Sequence, residues 1–399
     1  MKIAIVVHGR FHAFDVAREL LRRGHEVTVF TNYPGWAAEW FGVPGERVRS
    51  FAIHGLLSRA VSRLPKLQRR SEAWLHSMFG RWACGALAEG HWDIIHPWSG
   101  IAEETLGAWA GNPTSCLLMR GSSHIRAQAR LLAEEEQRAH VPQDRPSPWM
   151  IAREEREYAL ADAIVVPSTF AYESFVRESV PREKLRLLQL GVSRADFRPS
   201  TRTVEARCQR ILAGGPLRIL FVGALSFRKG ILDLLAIASR LKGANFEFRL
   251  VGPRPAEVAR ITATLRTVAT VLPKQAQADL PETYAWGDVF VFPTIEDGYP
   301  IVLAQAAAGG LPILTTTNCS GPDIIREGET GWVLPVRDPE AFVQRLLWCD
   351  GHRVELAGMT RRIHEELQQR DWADVAAEFE AICEERVSTR TMRGHRDGR

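Results

Sequence analysis

Two adjacent carboxylates, Glu296 and Asp297, follow the apolar run Val289–Phe292 and stand directly before Gly298. The chain continues as GYPIVLAQAAAGGLPIL, a short apolar helix pattern closed by Gly309 and Gly310, and then a second apolar run at 311–315. Carboxylates so placed stand beside a pocket for a phosphorylated ligand at the carboxyl end of a parallel strand. The main chain of Gly298, Tyr299, Pro300 and Ile301 opens the helix, and the free N–H groups of a helix start bind phosphate. A second group of polar side chains, His8, Gly9, Arg10 and His12 in HGRFHAF, joins the first apolar run to a helix pattern. Gly9 permits close backbone approach there, and Arg10 or a histidine can meet a phosphate or a hydroxyl. Arg120 in RGSSHI and His96 in IIHPWSG also end apolar runs.

These groups need scaffolds that deliver loops to one edge. The run at 2–7 reads as a buried parallel strand, the spacing of Phe14, Ala17, Leu20 and Leu21 predicts a helix, and HEVTVFTN is the next strand. Further strands are expected at 91–96, 114–121 and 161–168. A second block begins near Leu217 with LRILFVGAL, a helix at 231–242, FEFRLVGPR and TVATVLP. The polar stretch 191–216 reads as a linker. The expected fold is α/β, two Rossmann-like domains facing across a cleft, with ligands at the carboxyl ends of the strands. The first domain is placed at 1–195 and the second at 210–370. A last helix at about 372–386 packs back on the first domain, and a disordered tail follows at 387–399.

A chain of 399 residues is too long for one ordinary core. Its 45% hydrophobic and 25% charged residues are those of a soluble globular protein. A net charge of +4 is too weak to argue for nucleic acid as a partner. The six cysteines are scattered without a CxxC pair, so reduced thiols in a cytoplasmic protein are expected. The opening MKIAIVV is a strand rather than a secretory leader, and no apolar run of about 20 residues is present.

Several motifs in order resemble those of the retaining glycosyltransferases of family 4. FVGALSFRKGILDLLAIA (221–238) is similar to that family's VG-x-L-x-x-x-KG segment, and EDGYPIVLAQAAAGGLPIL (296–314) to its E-G-F-G-x-x-x-x-E-A helix. CSGPDIIREGETGWVLPVRDPEAF (319–342), YALADAIVVPSTF (158–170) and GVSRADFRP (191–199) resemble its remaining segments. The resemblance implies the GT-B architecture, an acceptor-binding first domain and a second domain that binds a nucleotide sugar. It implies hexose transfer to a glycan, lipid-linked or small-molecule hydroxyl, with retention. No D-x-D motif occurs in the chain, so no metal or other cofactor is expected.

The resemblance also assigns roles. Lys229 matches the lysine that meets the donor diphosphate, and Arg228 can assist, since Ala224 stands where the family often carries an arginine. The family's paired glutamates fall on Asp297, near the reacting carbon, and on Gln305, at the nucleotide ribose. Glu296 is available for one of these tasks. His124 lies where the family often has a histidine near the donor sugar, so Asp297, Lys229 and His124 are the catalytic candidates. The bland alternatives are a solvated turn at Lys229 and simple helix capping by Glu296 and Asp297.

The segment 56–82 mixes Arg59, Arg63, Lys66, Arg69, Arg70 and Arg81 with leucine, tryptophan and phenylalanine. Such a stretch can lie on an anionic membrane, which places the protein at the inner face of the cell membrane. The alternative is a solvated helix face. An inactive sugar-nucleotide-binding protein is a second functional reading. A nicotinamide oxidoreductase is a third, disfavoured because no G-x-G-x-x-G follows the first strand.

Overall fold

The computed structural model describes residues 1–62, 64–367 and 369–397. The central apolar runs form strands buried on both faces, because helices cover both sides of an all-parallel sheet, while the run at Thr270–Leu272 is a half-exposed edge strand. The first lobe has seven strands: β1 (Lys2–Val7), β2 (Glu26–Thr31), β3 (Val48–Ser50), β4 (Ile94–Pro97), β5 (Ser115–Met119), β6 (Ala163–Val166) and β7 (Leu185–Leu187). Their order is β3-β2-β1-β4-β5-β6-β7, and every pairing is parallel. The second lobe has six: β8 (Leu217–Val222), β9 (Phe246–Val251), β10 (Thr270–Leu272), β11 (Val289–Phe292), β12 (Ile313–Thr316) and β13 (Gly331–Leu334). They run β10-β9-β8-β11-β12-β13, again all parallel. In each sheet the order reverses beside its first strand, β1 or β8, and the loops leaving those strands face each other.

Two of these strands, β3 and β7, went unread in the sequence. Each has three residues at a sheet edge, too short for a period-2 pattern to register.

The stretch 191–216 is not merely a linker. Thr201–Leu212 is a helix whose Val204, Cys208 and Ile211 are buried, and Ser200 caps it by accepting from the Thr203 N–H. Arg207 on the same face is fully buried and donates to the carbonyls of Gly309, Gly310 and Tyr284. It thereby satisfies carbonyls at the end of the helix Ile301–Ala308. Polar composition concealed an apolar stripe three and four residues apart.

The chain passes between the lobes twice, near Gly191 and near Asp371. The two passages touch: the Val192 N–H donates to the Arg370 carbonyl at 2.9 Å, and a Cβ on Gly191 would lie 2.7 Å from the Asp371 carbonyl carbon. Behind the second passage, the helix Trp372–Asp397 lies on the first lobe. It buries Val375, Phe379 and Cys383 there, and Glu380 accepts from Arg23. The helix does not stop near Arg386 as expected. It runs on to Asp397, because no proline interrupts it and extending a docked helix costs far less than starting one. Residues 398 and 399 of the expected disordered tail lie outside the described part.

Candidate active site

A cavity of about 620 Å³ lies between the lobes. Its walls come from the loops after β1, β4 and β5 in the first lobe, the turn after β8, the start of the helix Ile301–Ala308, and the crossing segments at Leu190–Ser193 and Trp372.

The turn after β8 is tight. Phe227–Lys229 is a single 3-10 turn closed by Gly230 at φ +77°, and a Cβ on Gly230 would lie 1.9 Å from the Pro293 carbonyl oxygen. Only glycine fits both the dihedral and the space. The Arg228 carbonyl accepts from the Ile295 N–H (2.9 Å) and the Thr294 hydroxyl (3.1 Å), which docks this turn on the chain leaving β11. The docking brings the Lys229 ammonium into contact with the Asp297 carboxylate on the cavity wall. Burial lowers the Lys229 pKa, and the Asp297 charge opposes that shift.

Past Asp297 the helix Ile301–Ala308 begins at Pro300 without a side-chain cap. Glu296 and Asp297 therefore do not cap it. Pro300 has no N–H of its own. The N–H groups of Gly298, Tyr299, Ile301 and Val302 have no acceptor among the described residues. Gln305, one turn on, lines the cavity, and its Oε1 accepts from the Tyr284 hydroxyl at 2.8 Å. Its amide NH₂ is left as the free end, so this position donates where a glutamate would accept.

Glu296 has a different place from the one expected. It is fully buried and off the cavity wall. One carboxylate oxygen accepts from the Ser122 hydroxyl (2.7 Å), the Ser123 hydroxyl (2.7 Å) and the Ser123 N–H (3.1 Å), all in the first lobe. The other accepts from Arg228 Nε at 2.8 Å and Gln128 Nε2 at 3.3 Å. Burial alone would raise its pKa. The Arg228 charge and the two serine hydroxyls outweigh burial and hold the carboxyl at about 2. Glu296 thus clasps the lobes together. It also occupies Arg228, which lines the cavity but gives its guanidinium to Glu296 and to the Ser122 hydroxyl. The lobes meet backbone to backbone here: a Cβ on Gly298 would lie 2.3 Å from the Gly121 carbonyl oxygen.

Further pairs hold the rim. Arg138 donates to Asp233, Arg337 to Glu134 and Glu135, and the Thr169 N–H to Asp323.

In the first lobe, Arg10 and His12 line the cavity, as does His8. The Arg10 guanidinium stacks 4.1 Å from the Phe41 ring centroid, and its charge acts on the nearby Asp15 carboxylate. Gly9, at φ +92°, turns the loop, and its N–H donates to Asn32 Oδ1 at 2.7 Å. Burial, with His96 nearby, pushes the His12 pKa down to about 3, so the ring is neutral beside Trp98. Arg120 reaches the wall, but its guanidinium holds its own loop by donating to the Ser123 carbonyl and to Gln128 Oε1.

Two expectations are corrected. His124 is not on the cavity wall. It caps the helix Ile125–Ala139 by accepting from the Arg126 N–H, and its ring packs against Tyr158 and Phe175. His96 is a core residue between Trp98 and Phe379, with Nδ1–H donating to the Leu117 carbonyl at 2.6 Å. Both rings are buried among aromatic side chains, one in a strand and one at a helix start, which an isolated histidine in a sequence does not betray. Conversely, Ser122, Ser123 and Gln128 were missed, although the two serines lie inside RGSSHI. Asp15 and Trp372, also on the wall, carried no local signal.

Residues 10–196 match Glycosyltransferase Family 4, and residues 216–349 match Glycosyl transferases group 1. The sulfoquinovosyl transferase of Arabidopsis thaliana is 30% identical over 221 residues, 53% of this chain and 42% of that protein. The D-inositol 3-phosphate glycosyltransferase of Salinispora arenicola is 25% identical over 88% of this chain and 82% of its own. The chain spans about half the length of most curated relatives it matches. Among solved structures, the Anabaena protein HepE in complex with UDP superposes with a TM-score of 0.66 at 13% identity, covering 96% of this chain and all of that one. That likeness shows the two-lobed GT-B fold.

Proposed function

This chain belongs to the family 4, group 1 glycosyltransferases, and we propose that it moves a hexose from a nucleotide sugar to a hydroxyl of a glycan, lipid-linked or small-molecule acceptor. One observation carries the reading: Lys229, Asp297, Gln305 and an uncapped helix start share one wall of the interlobe cavity. The open N–H groups of Tyr299 and Ile301 on this wall and one ammonium form a receptacle for a diphosphate. Gln305 donates to a ribose oxygen behind it.

The donor phosphate competes with Asp297 for Lys229, freeing the carboxylate for the sugar hydroxyls. As the glycosidic bond breaks, charge builds on the leaving phosphate. Preorganised donors stabilise that charge without reorganising, and charge-assisted hydrogen bonds contribute about 1.5–3 kcal/mol each. This cationic clamp performs the neutralisation that a divalent metal otherwise supplies. The acceptor hydroxyl enters from the face the phosphate leaves, which retains configuration, and the departing phosphate oxygen takes its proton.

The site of action proposed is an anionic membrane surface. Helix Ala52–Val61 turns Ile53, Leu56 and Leu57 outward, and Leu67 and Trp74 extend that face along Pro65–Leu87. Arg59, Arg69 and Arg70 fringe it, exposed, while Arg63 and the Lys66 side chain lie outside the described residues. No described helix is long and apolar enough to cross a bilayer. Surface binding follows the buried apolar area and the basic fringe instead.

The test is a thermal-shift screen of nucleotide sugars, followed by nucleotide release with glycan and lipid acceptors. A donor at a hundred times its Kd stabilises the fold by about 2.7 kcal/mol. Absence of any shift refutes the proposal. A shift without turnover on every acceptor selects the inactive binding protein instead, for which the altered Gln305 is the motive.

A further inference from the structure

A second cavity, of about 790 Å³, lies in the first lobe beneath the helices Ala52–Val61 and Pro65–Leu87. Sites for organic ligands occupy roughly 300–1,000 Å³. This gallery shares two side chains with the interlobe cavity, His8 and His76, whose rings stand 5.9 Å apart. The two hollows therefore meet at a histidine gate. Its far wall is the loop at 142–148, and Glu257 reaches it from the second lobe.

The lining chemistry selects the occupant. Ser58, Ser62, Gln68 and Gln143 offer neutral hydroxyl and amide groups. Arg69 and Arg145 face three carboxylates, Glu72, Asp144 and Glu257, so the lining has one negative charge in excess. A slight excess of carboxylate among neutral hydrogen-bonding groups repels a phosphate and accepts from hydroxyls, which suits a polyhydroxylated, uncharged ligand. At the gate, His76 Nδ1–H donates to the Gly100 carbonyl at 2.9 Å, which leaves Nε2 as an acceptor for a hydroxyl. His54 behind it is fully engaged: its Nε2 donates to the Leu75 carbonyl and its Nδ1 accepts from Asn32. Outside, the helices that roof the gallery carry the exposed apolar face of Ile53, Leu56, Leu57, Leu67 and Trp74.

We propose that this gallery is the acceptor site, and that it takes an amphiphilic glycoside: sugar in the gallery, its reacting hydroxyl at His8 and His76, its apolar tail on the outer face of the two helices. The proposal rests on the glycosyltransferase reading. It places the acceptor and donor in separate hollows that open on one another at the reacting centre.

The probe is a dodecyl glucoside bearing a diazirine on its sugar ring, with free glucose as competitor and UDP and GDP as donor-site blockers. Photolabelling is expected on peptides within 58–76 and 142–151, undiminished by saturating nucleotide and poorly displaced by free glucose. Ala129→Trp fills the gallery wall beside Gln128, and Gln68→Trp does so from the exposed end, where folding tolerates it. Each is expected to reduce labelling at least tenfold while the thermal shift given by the nucleotide sugar remains. Labelling displaced by nucleotide, displaced equally by free glucose, or unchanged in both tryptophan variants overturns the proposal. A protein whose melting responds to no nucleotide sugar fails the glycosyltransferase reading; one that responds to the donor but leaves 58–76 and 142–151 unlabelled fails this inference alone.

Discussion

Replacing Glu296 by glutamine separates a clasp from a substrate ligand. A carboxyl held at about 2 instead of its ordinary 4.5 is favoured in its charged form by about 3 kcal/mol, at about 1.4 kcal/mol per pH unit. Glutamine keeps the shape and can still accept from the serine hydroxyls. Its NH₂ then confronts the Arg228 guanidinium, donor against donor. Breaking a buried pair by neutralising one partner costs on the order of 3–5 kcal/mol, and the half-exposed Arg228 recovers part of that from water. The expected loss is about 2–4 kcal/mol. It should appear as an earlier urea transition by tryptophan fluorescence and a larger radius of gyration by small-angle scattering, because part of the clasp crosses between lobes. Transfer should fall with the closed population. The sign in acid follows from the depressed pKa: the unfolded chain takes up the proton first, so this stabilisation is complete above about pH 4.5 and disappears as the pH falls towards 2. In Glu296→Gln that acid dependence should be absent. If the variant unfolds like the parent, keeps its radius of gyration and loses transfer a thousandfold, Glu296 touches the substrate and the clasp argument is wrong.

Lys229→Ala should lower kcat/KM by 10²–10³, as loss of one preorganised donor to a developing oxyanion does; near-parental turnover in a nucleotide-release assay would contradict the diphosphate role. Gln305→Ala should raise the donor KM about tenfold with kcat nearly constant, because a ribose contact is made equally in ground and transition states. His124→Ala should cost about 1 kcal/mol or more in urea unfolding, through the lost helix cap and ring packing, while kcat stays within about threefold; a large fall in kcat in a stable protein would return His124 to the catalytic group. His8 and His12, each held at about 3 by burial, stay neutral when folded and protonate when unfolded, so stability should decline as the pH falls from about 6.5 towards 3. A urea midpoint unchanged between pH 7 and 5 would contradict their burial.

Long buried strands and the motif turns were legible because their signals are local. An apolar run, a glycine stop and a carboxylate are each read within about ten residues. Lys229 and Asp297 came from different motifs, and the structure places them in contact. The misreadings share a cause, which is that a side chain's partner lies far away in the chain. Glu296 looked like a ligand because its partners in the first lobe are 168–174 residues earlier and Arg228 is 68 residues earlier. His96 and His124 looked reactive because histidine is polar, whereas their neighbours are aromatic rings from other elements. Arg207 vanished into a polar stretch because nothing in its surroundings announces three waiting carbonyls.

The pair of chain passages at Gly191 and Asp371 has a mechanical consequence. Two strands of backbone bonded side by side behave as the pin of a door: rotation about their common line is soft, while sliding and twisting are stiff. Any opening of the lobes is therefore a swing through one degree of freedom. Displacement grows with distance from the pin, so pairs far out on the swing let go first and those close in persist. A substituent as small as a methyl group on Gly298 would act as a doorstop, leaving the enzyme permanently ajar.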